Sequence, residues 1–251
     1  MECCWSWLNR PVEQDDQSHA FAGLKELGFM LLLAADTSGK NGSIALAKCE
    51  GENCSAIDLV PLSGGTFSAQ LVPQISGLLS KHGFSKGDIA GFAVASGPGS
   101  FTGLRVGLAA IKGLAEILGK PIAAVSLLET LAVKSAIQEH VVAILDAGRN
   151  ELYVGEYQIE ADAIRMVAEK LVPRPEFLQE ISRVPVIATE PTIAAELRAA
   201  GRHVIEAAPP TSADVAMLGW RKIQLGETVL PEELEANYIR RSDAEILSKT
   251  K

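Results

Sequence analysis

In the stretch SGPGSFTGLRVGLAAIKGLAEILGK, residues 96–120, a glycine-rich turn leads directly into a long run of helix-forming residues. The free backbone N–H groups of a turn at a helix N-terminus can hold a phosphate group. This stretch lacks the Gly-Lys-Ser/Thr of a P-loop, and its glycines do not have the spacing of a dinucleotide-binding fingerprint. We therefore interpret it as a strand-to-helix turn in which Ser100 or Thr102 caps the helix.

The helix after this turn carries small residues three and four positions apart. They remove side-chain bulk from a broad face and let a second helix approach closely. Such a face leaves voids unless something fills it, so the pattern predicts a contacting helix, either within the fold or across an interface. The small residues are Gly103, Gly107, Ala109, Ala110 and Gly113.

Composition and charge narrow the class of protein. The chain has 251 residues, 47% of them apolar, and a formal net charge of −8. Binding to nucleic acid needs clustered Lys and Arg. Because this chain is acidic, we expect it to act on RNA only through a partner. No apolar run has the roughly 20 residues needed to span a bilayer, and no membrane association is expected. The four cysteines, Cys3, Cys4, Cys49 and Cys54, are expected to be free thiols in a reducing compartment, and the chain to be cytoplasmic.

The order of predicted elements indicates two similar α/β halves rather than one doubly wound sheet. Residues 1–29 have no signal-peptide pattern, and we expect a mobile extension or, alternatively, a short helix that docks Trp5 and Trp7 on a partner. Strands are predicted at 31–35, 43–49, 54–61, 89–95, 122–125, 141–145, 151–159, 184–188 and 203–205. Helices are predicted at 68–82, 101–118, 126–138, 175–181, 192–201 and 212–225.

Two turns could hold a phosphate or a magnesium-bound water. Asp36, Thr37 and Ser38 follow the first strand, and Asp146 ends a strand in the second half in a similar way. Asp, Ser, Asn and Gly are also the residues expected of plain hairpin turns, so both interpretations stay open for each turn. The four histidines are scattered without a metal-binding spacing, and no metal site is expected.

Three segments closely resemble the TsaB family, also called YeaZ. They are LLLAADTS at 31–38, GFAVASGPGSFTGLRVGLAAIKGLA at 91–115 and AILDAGRNELYVGEY at 143–157. The likeness runs from Met30 to about Arg241, and GPGSFTGLRVG is its most specific part.

The resemblance implies a two-lobed fold of the actin, sugar-kinase and Hsp70 superfamily (ASKHA), in which each lobe is a mixed sheet flanked by helices. It places the first, partner-binding lobe at 30–126, the second lobe at 127–225 and a C-terminal segment at 226–251. It also implies a non-catalytic subunit that pairs with TsaD, the subunit that transfers the threonylcarbamoyl group to tRNA. TsaE, an ATPase, joins the pair, so ATP and magnesium enter only through the complex, with no cofactor in the isolated chain. Isolated relatives homodimerise through much the same face.

The resemblance assigns pairing with TsaD to the helices at 68–82 and 101–118. Arg105 either joins this interface or braces the glycine turn. The implied interface residues are Leu71, Ile75, Leu78, Phe101, Gly103, Leu104, Val106, Gly107, Ala110 and Leu114.

Two other functions compete with this one. An ATPase or small-molecule kinase of the same superfamily is supported by Asp36 and Asp146, but residues 186–201 lack the Gly-Gly pair of the adenosine-binding motif. A peptidase is the second of these functions, but the sequence contains neither a nucleophile–base pair nor a set of metal ligands for it. Phe67 stands where many relatives carry a histidine, which argues against a role for that histidine in this chain.

Overall fold

A computed structural model describes residues 28–135, 137, 139–160, 163–180 and 182–240 of the protein, and these residues form two units. Among the described residues, unit 1 comprises those up to Ser96, Thr102–Val125 and Thr211–Ala236, and unit 2 comprises Gly97–Phe101, those from Ser126 to Pro210 and those from Asn237 onward. The predicted N-terminal extension lies outside the described residues except for Gly28 and Phe29. None of the helices in these ranges has the length and apolar character of a membrane span.

The strands form two five-stranded sheets with the same connectivity. The strands are β1 (Met30–Asp36), β2 (Asn41–Glu50), β3 (Asn53–Ser63), β4 (Ile89–Gly97), β5 (Ile122–Ser126), β6 (His140–Gly148), β7 (Glu151–Glu160), β8 (Ala163–Pro173), β9 (Val186–Ala188) and β10 (Val204–Glu206). The sheet orders are β3-β2-β1-β4-β5 and β8-β7-β6-β9-β10, so each sheet repeats the pattern 3-2-1-4-5. In each, the first three strands are antiparallel and the fourth runs parallel to the first. The prediction of two similar halves is confirmed.

Six α-helices flank these sheets in the described part of the chain. They are α1 (Phe67–Lys81), α2 (Phe101–Leu118), α3 (Leu127–Lys134), α4 (Arg174–Gln179), α5 (Pro191–Ala199) and α6 (Ser212–Gln224). Ser126 caps α3 by accepting a hydrogen bond from the Glu129 N–H at 3.4 Å. This helix ends at Lys134, short of the predicted residue 138. The edge strand β8 was not predicted.

Helices α1 and α2 pack on one face of the first sheet. Leu31, Leu33 and Ala35 alternate along β1 and share one buried cluster with residues of both helices. Those helical residues recur at helical spacing, as expected for apolar stripes that face a core. They are Phe67, Leu71, Ile75, Leu78 and Leu79 from α1, and Leu104, Leu108, Ile111, Leu114 and Ala115 from α2.

Helix α6 covers the opposite face of the same sheet. A Cβ built on Gly219 would lie 2.4 Å from the Cβ of Ala93, and one on Gly91 would lie 3.1 Å from Cδ1 of Ile223. The second lobe was expected to include this helix, so that boundary needs correction, because the chain returns to unit 1 at Thr211. Periodicity identifies an apolar face but does not say which sheet it covers.

A second correction concerns the prediction that Cys49 and Cys54 are free thiols. They are directly opposite each other in the β2–β3 pairing, and they form a disulfide. The free-thiol prediction is therefore wrong for this pair, because the short connection at the hairpin tip aligns the two side chains. Cys3 and Cys4 lie outside the described residues.

A carboxylate on the edge strand β3 holds the end of α1. Asp58 lies 2.7 Å from the Lys81 Nζ and 2.9 Å from the His82 Nε2. The hydrogen bonds from Lys81 and then His82 lower the pKa of Asp58 to about 2. A carboxylate with a lowered pKa stabilises the folded state above its unfolded pKa, and this contribution disappears as the pH falls through the folded value.

We expect Asp58→Asn to lower the thermal midpoint by a similar, small amount at every pH above about 4. Below that pH the wild type loses the same contribution, so the two midpoints should converge between pH 4 and about 2. Paired thermal melts over this range measure the difference. A gap between the midpoints that is unchanged at pH 2 would rule out this ionic role.

Candidate functional site

The turn after β1 is closed by its own polar side chains. Asp36 Oδ1 accepts a hydrogen bond from the Ser38 N–H at 2.9 Å. The Thr37 Oγ1 donates to the carbonyl oxygen of Gly103 on α2 at 2.7 Å. Asp36, Thr37 and Ser38 are all buried. Burial raises the pKa of Asp36, and the hydrogen bonds from Ser38 offset part of that rise.

Gly107 lies on the same side of α2 and faces this turn. A Cβ at this position would lie 2.4 Å from the Thr37 Oγ1, the atom that already donates to Gly103. The two glycines therefore let α2 lie directly against the turn within unit 1. For Gly103 and Gly107, the contacting partner of the small-residue face is this turn of the same unit.

The turn after β6 repeats the first one in unit 2. Asp146 Oδ1 accepts a hydrogen bond from the Gly148 N–H at 2.9 Å, which is the same bond to the second residue onward that Asp36 makes. Arg149 and Asn150 complete the hairpin with positive φ angles of 54° and 62°. Unlike Asp36, Asp146 is exposed. Both turns are hairpin turns, and phosphate or magnesium at either stays a prediction.

Most residues that were expected at the partner interface belong to the core of unit 1. A partner cannot contact buried side chains directly. The interface therefore stays a prediction that concerns the accessible residues of the same helices. Phe101, Val106 and Ala110 are half-buried. The buried ones are Leu71, Ile75, Leu78, Gly103, Leu104, Gly107 and Leu114.

The outer face of α1 consists of small and uncharged side chains, and its sole charge is Lys81 at the last position. A Cβ added to Gly77 would meet nothing within 4 Å, so this face is open. Sequence reasoning missed these residues because they fall outside the apolar stripe. The exposed residues are Ser68, Ala69, Pro73, Gln74, Gly77 and Ser80.

The outer face of α2 is similar in character. Ala109 is exposed, and Gly113 again has open space where a Cβ would lie. Ile117 is 60% exposed, which is unusual for a large apolar side chain. We call the outer faces of α1 and α2 the outer helix surface. Arg105 and Glu116 add charge to it.

In the described ranges, no group of three or more His, Cys, Asp or Glu side chains could hold a metal ion. His82 is engaged by Asp58, and His203 is exposed on the surface.

Comparison with known proteins defines the class and then the family. A structure of YeaZ from Pseudomonas aeruginosa matches 83% of this chain and 99% of its own, with a TM-score of 0.66 and 25% identity. The two matched sheets make this an α/β protein of the actin, sugar-kinase and Hsp70 class, as predicted.

The model of the family described as TsaD, tRNA N6-adenosine threonylcarbamoyltransferase, matches residues 62–233, more than half of the chain. The tRNA threonylcarbamoyladenosine biosynthesis protein TsaB of Bacillus subtilis is 34% identical over 139 residues, which cover 55% of this chain and 59% of that protein. TsaB of Escherichia coli is 33% identical over 156 residues, covering 60% and 65%. The chain therefore belongs to this family, and within it to the TsaB (YeaZ) proteins. It spans about three fifths of the length of these two relatives.

We expect Gly107→Ala to destabilise the protein by roughly 1–3 kcal/mol, because the added methyl group displaces the Thr37 hydroxyl from its hydrogen bond. Denaturant unfolding measures the change. Gly113→Ala is the matched control on the same helix, and with open space around it the substitution should stabilise by about 0.5–1 kcal/mol. Equal effects of the two substitutions would contradict the packing of α2 against the turn.

Proposed function

We propose that this chain is a non-catalytic subunit in the synthesis of threonylcarbamoyladenosine in tRNA, and that it pairs with a TsaD-type catalytic subunit. The names of the B. subtilis and E. coli relatives support the pathway. The family model, which carries the name of the transferase, supports a paralogous partner. The tRNA would then be contacted by the partner, which suits a chain with a net charge of −8.

The observation that carries this proposal is the outer helix surface. Serine, alanine, glycine and proline occupy most of the exposed positions of α1, beside Gln74 and the terminal Lys81, and a close helix contact is favoured by small residues of this kind. Exposed helix positions in a monomer usually carry charged side chains, which are depleted at the centres of interfaces. The inner faces of the same helices are fully used by the core, so the outer faces are the ones that can bind a partner.

A second copy of the chain would use the same surface. A homodimer of the isolated protein is therefore proposed as a competitor of the TsaD-type subunit and not as an addition to it. A TsaE-type ATPase is proposed to join the assembled pair. The proposed location is the cytoplasm, where tRNA is modified.

One further observation favours an alternative function. Asp36 and Asp146 occupy equivalent hairpins of the two units and make the same turn bond, as expected if each unit once contacted a nucleotide phosphate. An ATPase or small-molecule kinase is therefore the second candidate. Titration of ATP and Mg²⁺ against the isolated protein separates the two, since tight binding with turnover favours the second function.

We expect Gly77→Arg and Ala109→Arg each to weaken association with the TsaD-type subunit by at least about tenfold, because overpacking a fitted contact costs roughly 1–3 kcal/mol. Both positions are exposed, so the fold should be retained. Titration calorimetry with the purified partner measures the affinity, and a tRNA modification assay follows the consequence.

Met217→Arg serves as the matched control, because Met217 is 50% exposed on α6, which covers the opposite face of the sheet. It should leave both affinity and tRNA modification unchanged. Unchanged affinity in both folded outer-surface variants, or an equal loss in the control, would refute the assignment of the outer helix surface.

A further inference from the structure

The turn that precedes α2 contacts a four-residue segment of the same unit, residues 237–240. Gly97 has a φ of +136°, and a Cβ there would lie 2.8 Å from the carbonyl oxygen of Asn237. The ring of Phe101 lies 4.9 Å from that of Tyr238, centroid to centroid, at an interplanar angle of 31°. The glycine of this turn is therefore required by the approach of a peptide backbone, a close contact that any side chain would block.

The same segment also holds the turn after β6. The guanidinium of Arg240 donates to the carbonyl oxygens of Ala147 at 2.8 Å and Gly148 at 3.4 Å, and it forms an ion pair with Glu151. The Gly148 N–H is meanwhile bonded to the Asp146 carboxylate. The turn thus offers acceptors to a cation, whereas a phosphate group would need donors.

A partly buried polar cluster fixes the start of the segment. The side-chain amide of Asn237 donates to the carboxylate of Glu169, which also accepts from the Tyr157 hydroxyl and, at 2.5 Å, from the Ser126 Oγ. Burial, followed by the neighbouring Glu169 carboxylate, raises the pKa of Tyr157, so its hydroxyl stays a donor. Ile239 packs against the apolar cluster of the same unit.

We propose that residues 237–240 occupy both turns of unit 2 from within the chain, in the place that a bound ligand would otherwise take. The segment joins the turn at 97–101 to the turn at 146–150 as one strap, and its docking positions the Phe101 ring at the start of α2. Four consecutive residues reach different elements: Asn237 contacts Gly97 and Glu169, Tyr238 stacks on Phe101, Ile239 packs against the apolar cluster, and Arg240 holds the β6–β7 turn. This proposal does not depend on the identity of any partner.

Hydrogen exchange of the full-length protein tests whether the strap acts as one unit. Arg240→Ala should accelerate exchange about tenfold or more at 147–151, because hydrogen bonds to a charged group count for roughly an order of magnitude or more in an opening equilibrium. If the strap is cooperative, exchange should also accelerate at 237–240 and at 97–101, which the strap reaches through Asn237 and Tyr238. The matched control is Arg183→Ala, at an exposed arginine, which should leave all three segments unchanged.

Gly97→Ala tests the strap from its other end. The added methyl group should displace Asn237 and accelerate exchange at 237–240 and at 147–151. Unchanged exchange in β1 of unit 1 and in α5 of unit 2 shows that both units remain folded in either variant. Acceleration confined to the segment next to each substitution overturns the proposal. Slower exchange of both turns in the wild type on addition of inorganic phosphate or magnesium–ATP also overturns it, since the strap already occupies those turns.

Discussion

The hydrogen bond from the Thr37 hydroxyl to the Gly103 carbonyl, 2.7 Å long, is the contact on which the arrangement of unit 1 depends. It holds the first turn of α2 against the hairpin after β1, and it requires Gly107 to have no side chain. With the helix held in this orientation, its leucine and isoleucine stripe faces the core. Its opposite side, with Ala109, Gly113 and Ile117, is left on the surface.

The two units share one topology, but their first hairpins lie in different surroundings. Each sheet follows the order 3-2-1-4-5, and each first hairpin is closed by an aspartate that bonds the N–H two residues onward. In unit 1 the first part of the hairpin, residues 36–38, is buried against α2, and in unit 2 the hairpin is exposed and held by Arg240. The same turn bond therefore lies in two different surroundings, beneath a helix in unit 1 and beneath an arginine side chain in unit 2.

The sequence predicted the elements better than it predicted their neighbours. The runs at 31–35 and 89–95 are strands and the stripe at 68–82 is a helix, because burial on one or both faces leaves a clear period in the sequence. Strand β8 was missed because an edge strand is largely exposed and has little apolar pattern. The lobe of α6 and the Cys49–Cys54 pairing were missed because both are set by contacts between distant or facing elements.

The candidate site shows the same limit. The resemblance assigned Leu104 and Leu114 of α2 to a partner interface, which stays a prediction, and the structure places both side chains in the core of unit 1. An apolar stripe has the same pattern in either role, and only the packing of a second layer distinguishes them. The outer residues that remain, such as Ala69 and Gly77, are small and leave no apolar stripe in the sequence, so they have the pattern of ordinary surface. The contacts of residues 237–240 could not be predicted, because the residues that they touch lie in β6, β8 and the turn before α2, which are distant in the sequence.

Hydrogen exchange of the full-length protein with and without the purified TsaD-type subunit shows whether α1 and α2 form the binding surface. We expect slower exchange on binding along the outer parts of α1 and α2, with no change at the turns 36–38 and 146–150. Protection of those two turns by magnesium–ATP in the absence of a partner, with no protection of α1 and α2 by the partner, would contradict this expectation.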